Sequence, residues 1–463
     1  MPDMGARVAG SFRDPSGFVF TDGGRIYRQI NRAYQDHYLQ LMSSGLYDKL
    51  VGDGLLIPHT EVGTQLAATA DAYKVIEPVR IPFVSYPYEW CFSQLKQAAL
   101  LTLRLQRTAL DFGMSLKDAS AYNVQFHEGR PVLIDSLSFE AYEEGKPWVA
   151  YRQFCQHFYA PLALMAQADV RLHQLLRANL DGIPLDMASR LLPARTWFSF
   201  PSLSHIHLHA RAQKHWADGT SRSDRGGMGR TSFLGLVDSL RSGIEKLRWQ
   251  PGGTEWHDYY AIQGYTSEAM EHKQGLVADM LNRIVPRPKT AWDLGANTGR
   301  FSRIASDIGV FTVSVDSDPS AVESSYLESL EKREANILPL VVDLANPSPG
   351  LGWENRERSS LLARGPADVV FALALLHHLA ISENLPFRDI ASFLHQACSV
   401  LIIEYVPKED AQVQRLLAHR KDIFTEYTQE SFEEQFGEFF TIQDSVAIVG
   451  TNRTLYQMAR RGT

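Results

Sequence analysis

The feature that most restricts what this chain can become is a short apolar strand that runs into a glycine turn and then a helix. Thr290-Ala291-Trp292-Asp293-Leu294 is followed by Gly295-Ala296-Asn297-Thr298-Gly299 and by the helical pattern RFSRIASDIG over 300–309. A strand–turn–helix of this kind brings backbone N–H groups and a helix N-terminus close to a ligand. Glycine permits the approach because it carries no Cβ. A lone glycine turn says little, but an ordered series of polar residues follows this one. FTVSVDSD (311–318) reads as a second strand ending in Asp316, a position suited to accepting both hydroxyls of a ribose. ILPLVVDL (337–344) is a third strand, with Asp343 placed for an adenine amino group and Leu344 beside it. ADVVFALALLHHL (367–379) opens onto His377 and His378, and SVLIIEYV (399–406) ends in Glu404 and Tyr405. Strands alternating with helices predict an α/β unit with a mostly parallel, doubly wound sheet. Its polar residues fall at the carboxyl ends of the strands, where open α/β sheets bind ligands.

Residues 270–463 resemble the class I S-adenosylmethionine (SAM)-dependent methyltransferases, whose Rossmann-like fold this order implies. DLGANTG matches their first motif, with Asn297 in place of the central glycine; Asn tolerates left-handed backbone better than most residues. FTIQDSVAIVGTNRTLYQMARR (440–461) is similar to the antiparallel sixth and seventh strands of that fold. A dehydrogenase with a Rossmann domain is the main competitor, disfavoured because no GxGxxG occurs and LLHHL resembles methyltransferases instead. The resemblance implies SAM as cofactor, held by Asp293, Gly295, Asn297, Gly299, Asp316, Asp343 and Leu344. A helical cap ahead of the first strand would add Tyr265 and Lys273, with Tyr259 and Tyr260 nearby. Methyl transfer is an in-line displacement, so positioning is the main task, and a hydroxyl acceptor also needs a base. His377, His378 and Glu404 are the candidates; an imidazole titrates near working pH.

In the N-terminal half GFVF (17–20) and GRIYRQI (24–30) flank Thr21-Asp22-Gly23, a hairpin signal. SQLKQAALLTLRLQRTALDF (93–112) repeats Leu and Ala at helical spacing and stops at Gly113. SLKDASAYN (115–123) and VQFHEGRPVLIDSLSFE (124–140) then carry Asp118, Asn123 and Asp135. Their spacing resembles the catalytic and metal-binding segments of protein-kinase-like folds. That resemblance implies that Asp118 orients an acceptor hydroxyl while Asn123 and Asp135 hold Mg²⁺, with Mg·ATP as ligand if the domain is active. No GxGxxG opens this half, and the phosphate-pairing lysine is ambiguous, with Lys74 ahead of a hinge at 86–90 as the candidate. The expectation is an α+β domain, kinase-like and intact or degenerate, or substrate-presenting; a plain loop–strand–loop with turn residues is the structural alternative. His205, His207 and His209 would suggest a metal if they lined one face of a strand, against a plain helix-entry segment.

ADGTSRSDRGGMGRTS (217–232) has almost nothing to bury and reads as a linker. It falls between a domain at 1–200 and the methyltransferase domain at 255–463, within a helical connector at 201–254. A net charge of −7 argues against a broad basic surface for nucleic acid. No apolar run reaches the ~20 residues of a membrane span, and the N-terminus lacks a signal-peptide stretch. Cys91, Cys155 and Cys398 are too scattered for a disulfide framework or a zinc site. These features predict a reduced, cytoplasmic enzyme; oligomeric state is left open.

Stretches along the whole chain resemble the bacterial methyltransferases related to the nodulation protein NoeA. Among them are DPSGFVFTDGGRIYRQIN (14–31), YPYEWCFSQLKQAALLTL (86–103) and EYVPKEDAQVQRLLAHRKDIF (404–424). That resemblance implies a bacterial methyltransferase and suggests modification of a cell-surface or signalling glycan, without choosing the acceptor; the expected reaction is methylation of an O or N acceptor on a small molecule or glycan. A bifunctional kinase–methyltransferase and a non-catalytic SAM sensor are the alternatives.

Overall fold

Alternation of buried and exposed residues along 17–31 produces the hairpin expected there. In the computed structural model, which describes residues 6–211, 228–251, 266–418 and 421–462, β1 (Ala6–Arg7) precedes β2 (Gly17–Asp22) and β3 (Arg25–Asn31). The tight turn between β2 and β3 needs Gly23 and Gly24 at φ +54° and +78°. With β4 (His59–Val62) and β5 (Ala72–Pro78) these strands form an antiparallel sheet ordered β1-β2-β3-β5-β4. Phe18, Phe20, Tyr27 and Val75 cover one face, while Ile30 and Ile76 pack with Tyr34, Tyr38 and Leu137 on the other.

The helix Phe92–Asp111 buries a Leu/Ala face and ends as Gly113 turns at φ +71°. β6 (Met114–Leu116) pairs with β9 (Phe139–Ala141), and between them β7 (Val124–His127) and β8 (Arg130–Leu133) form a hairpin. A small antiparallel sheet, a long helix, and a loop and hairpin carrying Asp118, Asn123 and Asp135 give an α+β unit.

The histidine triplet does not form a strand. Leu203–Leu208 is a single π-helical turn, and two of the three, His205 and His207, are buried in it with both ring nitrogens hydrogen-bonded, while His209 follows it and stacks on Tyr151. His207 bonds to Ser189 Oγ (2.8 Å) and Thr196 Oγ1 (2.9 Å) and stacks on Trp197. His205 bonds to Tyr151 Oη (2.8 Å) and Ser239 Oγ (3.0 Å), which leaves no ring nitrogen on either for a metal.

The second sheet has seven strands: β10 (Thr290–Leu294), β11 (Phe311–Asp316), β12 (Ile337–Val341), β13 (Ala367–Ala372), β14 (Cys398–Tyr405), β15 (Phe440–Ala447) and β16 (Thr454–Arg460). Their order is β12-β11-β10-β13-β14-β16-β15. The first five are parallel, and β16 runs antiparallel between β14 and β15. The helix Ser267–Asn282 packs Met270, Val277, Met280 and Leu281 against Ala291, Val369, Phe371 and Ile402 of this sheet.

Two strands stop earlier than their apolar runs. Asp343 Oδ1 accepts the Ala345 N–H (2.9 Å), a turn that follows the end of β12. Ala374 at φ +51° breaks β13, so His377 and His378 sit on the following helical turn.

By compactness the chain divides into Met1–Trp249 with Gly350–Arg358, and Gln250–Pro349 with Ser359–Thr463. The proposed linker at 217–232 falls outside the described residues up to 227; its last residues begin the helix Arg230–Lys246.

Candidate functional sites

At the carboxyl ends of β10 to β13 a cavity of about 290 Å³ opens. Gly295, at φ +74°, forms part of its wall, and a Cβ there would come within 3.2 Å of Leu375 Cδ1. Asn297 also takes a left-handed conformation, φ +52°, and its N–H donates to Asp316 Oδ2 at 2.7 Å. Asp316 Oδ1 accepts the Asp318 N–H at 2.9 Å. Burial pushes the Asp316 carboxyl up to about 6, with Asp318 adding to the rise and backbone N–H donors opposing it. A half-buried carboxylate whose local partners are N–H groups is stabilised by further neutral donors, and a vicinal diol is one.

Asp343, Leu344 and His378 line the same cavity, as do Ser317, directly after β11, and Ser382 and Glu383, at the end of the helical turn that follows β13, which sequence reasoning missed because they lie just past the expected positions. Burial, reinforced by Arg453, pushes His378 down to about 4, so its ring is neutral at physiological pH.

Other expected residues stand behind the cavity. Asp293 does not line it; its carboxylate accepts from Ser302 Oγ at 2.6 Å and pins the glycine turn to the following helix. Gly299, at φ +80°, starts that helix, where a Cβ would come within 2.8 Å of Ser325 Oγ. His377 is fully buried, and neither ring nitrogen has a hydrogen-bond partner among the described residues.

Glu404, offered as a base, and Lys273, offered to the cofactor, are each other's partners: Lys273 Nζ lies 2.5 Å from Glu404 Oε2. Arg453 Nη1 approaches Glu404 Oε1 at 3.3 Å and its guanidinium also holds Asp410. Both Glu404 oxygens are thus engaged by cations, away from the cavity, an arrangement that builds structure and does not offer a base to an acceptor. Tyr259, Tyr260 and Tyr265 lie outside the described residues.

The N-terminal unit holds a larger cavity of about 790 Å³, and Asp118, Asn123 and Asp135 all line it. Asp118 Oδ1 accepts from Ser120 N (2.9 Å) and Gln153 Nε2 (2.8 Å); burial, with Asp135 nearby, raises its pKa. Asp135 accepts from Leu137 N and Ser138 Oγ and pairs with Arg28 Nη2 at 2.6 Å.

Lys74 is not in this cavity. It pairs with Glu61 at the surface, and the cation facing Asp135 is Arg28 of β3. Strand periodicity contains that signal, since Ile26 and Arg28 share the cavity face while Tyr27 and Gln29 are buried on the other. The loop 8–16, between β1 and β2, supplies Gly10, Ser11, Phe12, Arg13 and Asp14 to the wall.

A parallel sheet extended by an antiparallel hairpin in this strand order, with a glycine turn after its first strand and a carboxylate ending the second, defines a class I methyltransferase fold. The chain is 37% identical over 464 residues to the nodulation protein NoeA of Rhizobium meliloti (strain 1021), spanning 98% of this chain and 96% of that one. It belongs to the NoeA family. No family model matches the sequence.

Solved structures similar to it include the N-methyltransferase NodS from Bradyrhizobium japonicum WM9, at 11% identity and TM-score 0.32, covering 42% of this chain and 98% of that one. Magnesium protoporphyrin IX methyltransferase (ChlM) from Synechocystis PCC 6803, with bound SAM, gives 16% and 0.29 over 43% and 86%. Monomeric WbdD gives 18% and 0.31 over 45% of each chain.

Proposed function

We propose that the chain is a SAM-dependent methyltransferase acting on an O or N acceptor of a small molecule or glycan. The observation that carries this reading is the convergence of Gly295, Asn297, Asp316, Asp343 and His378 on one cavity at the strand ends. The residues present fit the cofactor: left-handed Gly295 and Asn297 leave room at the turn, and Asp316 offers a carboxylate to a diol. SAM, when bound, supplies an electrophilic methyl group. Asp316 orients the ribose, Asp343 receives the adenine edge, and neutral His378 faces the acceptor side, able to take a proton from a hydroxyl. A neutral amine would need only positioning.

Titration calorimetry with SAM tests the reading. Asp316→Ala removes two hydrogen bonds to a charged group, so affinity should fall about 100-fold or more with the melting curve retained. Unchanged affinity sinks the ribose assignment. Binding without S-adenosylhomocysteine formation in any extract would instead favour a sensor.

A second reading concerns the N-terminal cavity, which we read as a site for a divalent-cation nucleotide. Asp118, Asn123 and Asp135 offer the hard oxygen donors such a cation requires, and Arg28 adds a cation for phosphate. Mg·ATP titrated into the full chain should give binding that disappears in Asp135→Ala; equal binding in both rules this out.

A further inference from the structure

Gly350–Arg358 lies in chain order between β12 and β13, yet it packs with the N-terminal unit. Its backbone folds back on itself, Leu351 and Arg358 exchanging N–H···O bonds of 3.0 Å. The approach is close: a Cβ on Gly10 would lie 2.5 Å from Glu357 O, and one on Gly352 2.5 Å from Glu357 Oε2. Glu357 is buried and accepts a two-pronged pair from Arg13, Nε to Oε1 at 2.8 Å and Nη2 to Oε2 at 2.9 Å. That pair ties the segment to the loop 8–16 and places Arg358 in the cavity wall.

Arg358 lies over the Tyr122 ring at 4.2 Å, and its nearest carboxylate, Glu357, is 3.7 Å away and already committed to Arg13. Its Nε is buried with no hydrogen-bond partner among the described residues. His157 stands edge-on to the same tyrosine, is 2% exposed, lines the cavity, and has an Nδ1 equally without a partner. A buried guanidinium N–H without a partner calls for an acceptor from outside the protein, and the imidazole beside the same aromatic ring can donate to it in the tautomer that carries its proton on Nδ1. Of the other cations in the wall, Arg13 is held by Glu357 and Lys117 donates to Ser16 Oγ at 2.8 Å, while Arg28 pairs with Asp135 and keeps a buried Nε without a hydrogen-bond partner among the described residues.

We propose that Arg358 and His157 form an anion subsite in the N-terminal cavity that receives the phosphate group of a phosphate monoester, with Asp118 lining the same cavity. The subsite uses side chains other than Arg28 and Asp135, so it rests on the nucleotide reading only for the role of Asp118, not for the anion contact itself.

The test uses the full-length protein and three probes: glucose 6-phosphate, glucose and Mg·ATP. Glucose 6-phosphate should bind and glucose should not. Arg358→Gln should weaken glucose 6-phosphate about tenfold or more while leaving Mg·ATP affinity unchanged. Arg358→Lys, which keeps the charge and loses the planar fork, should fall between the two. Glucose binding as tightly as its phosphate, or glucose 6-phosphate binding equally to wild type and Arg358→Gln, overturns the subsite. Parallel loss of Mg·ATP in Arg358→Gln also overturns it, by making Arg358 part of the nucleotide site. Absence of Mg·ATP binding in every form, with the sugar phosphate still discriminating, defeats the nucleotide reading alone.

Discussion

The two cavities keep their charges in different places. In the C-terminal unit the cations are sealed behind the strands: the Lys273 and Glu404 side chains are 2% and 0% exposed. In the N-terminal unit the charges face the opening, with Arg28 and Asp135 at 13% and 11% and Arg13 at 61%. The contrast teaches that a buried ion network can hold the shape of a site without touching its ligand. The smaller cavity is lined by the carboxylates of Asp316, Asp343 and Glu383 with no Lys or Arg among its described residues, whereas Arg13, Arg28, Arg80, Lys117 and Arg358 line the larger one beside its carboxylates.

Removing charge from each unit in turn tests this contrast. Lys273→Met should produce the largest effect, lowering the stability of the C-terminal unit by about 3 kcal/mol, because it withdraws one partner from a buried carboxylate. Chemical denaturation reads this directly, and a loss under 1 kcal/mol would place the network among dispensable contacts. Arg28→Gln should cost less stability, because Asp135 keeps its Leu137 N–H and Ser138 Oγ donors, and should weaken Mg·ATP about tenfold, as loss of one charge-assisted contact does; an unchanged isotherm would remove Arg28 from the nucleotide reading.

The pH dependence of SAM affinity is next. Asp316 titrates near 6, so it is a carboxylate acceptor above that value and increasingly protonated below it. Affinity should therefore hold above pH 6 and fall by up to about tenfold per unit as pH drops through it, flattening in Asp316→Asn. A profile identical in both proteins would assign the titration elsewhere. Smallest is Lys74→Ala. This surface pair should contribute less than about 1 kcal/mol, and Mg·ATP binding should not change.

Spacing exposed most of the C-terminal fold because each βα repeat leaves its own periodic trace and its own terminal residue. It misplaced Asp293 because proximity to a glycine turn does not fix which face of a strand a side chain takes, and this one points to Ser302. Lys273 and Glu404 are 131 positions apart, so their pairing had no local signature. In the N-terminal unit the Asp118–Asn123–Asp135 spacing is readable, whereas Arg28 belongs to no motif and only its place in the alternation of β3 sets it on the cavity face. The Gly350–Arg358 segment was invisible for another reason: its partners Gly10 and Arg13 lie over 300 positions away.

That segment has a consequence for how the molecule can be taken apart. The chain visits the N-terminal unit, then the other, returns for nine residues, and leaves again. No single cut separates the two units intact. A fragment ending at the first crossing forfeits Glu357 and Arg358, and its complement carries a loop bereft of Gly10 and Arg13. Exchange of either half as a contiguous cassette, by recombination or by engineering, would thus strip one unit of part of its wall.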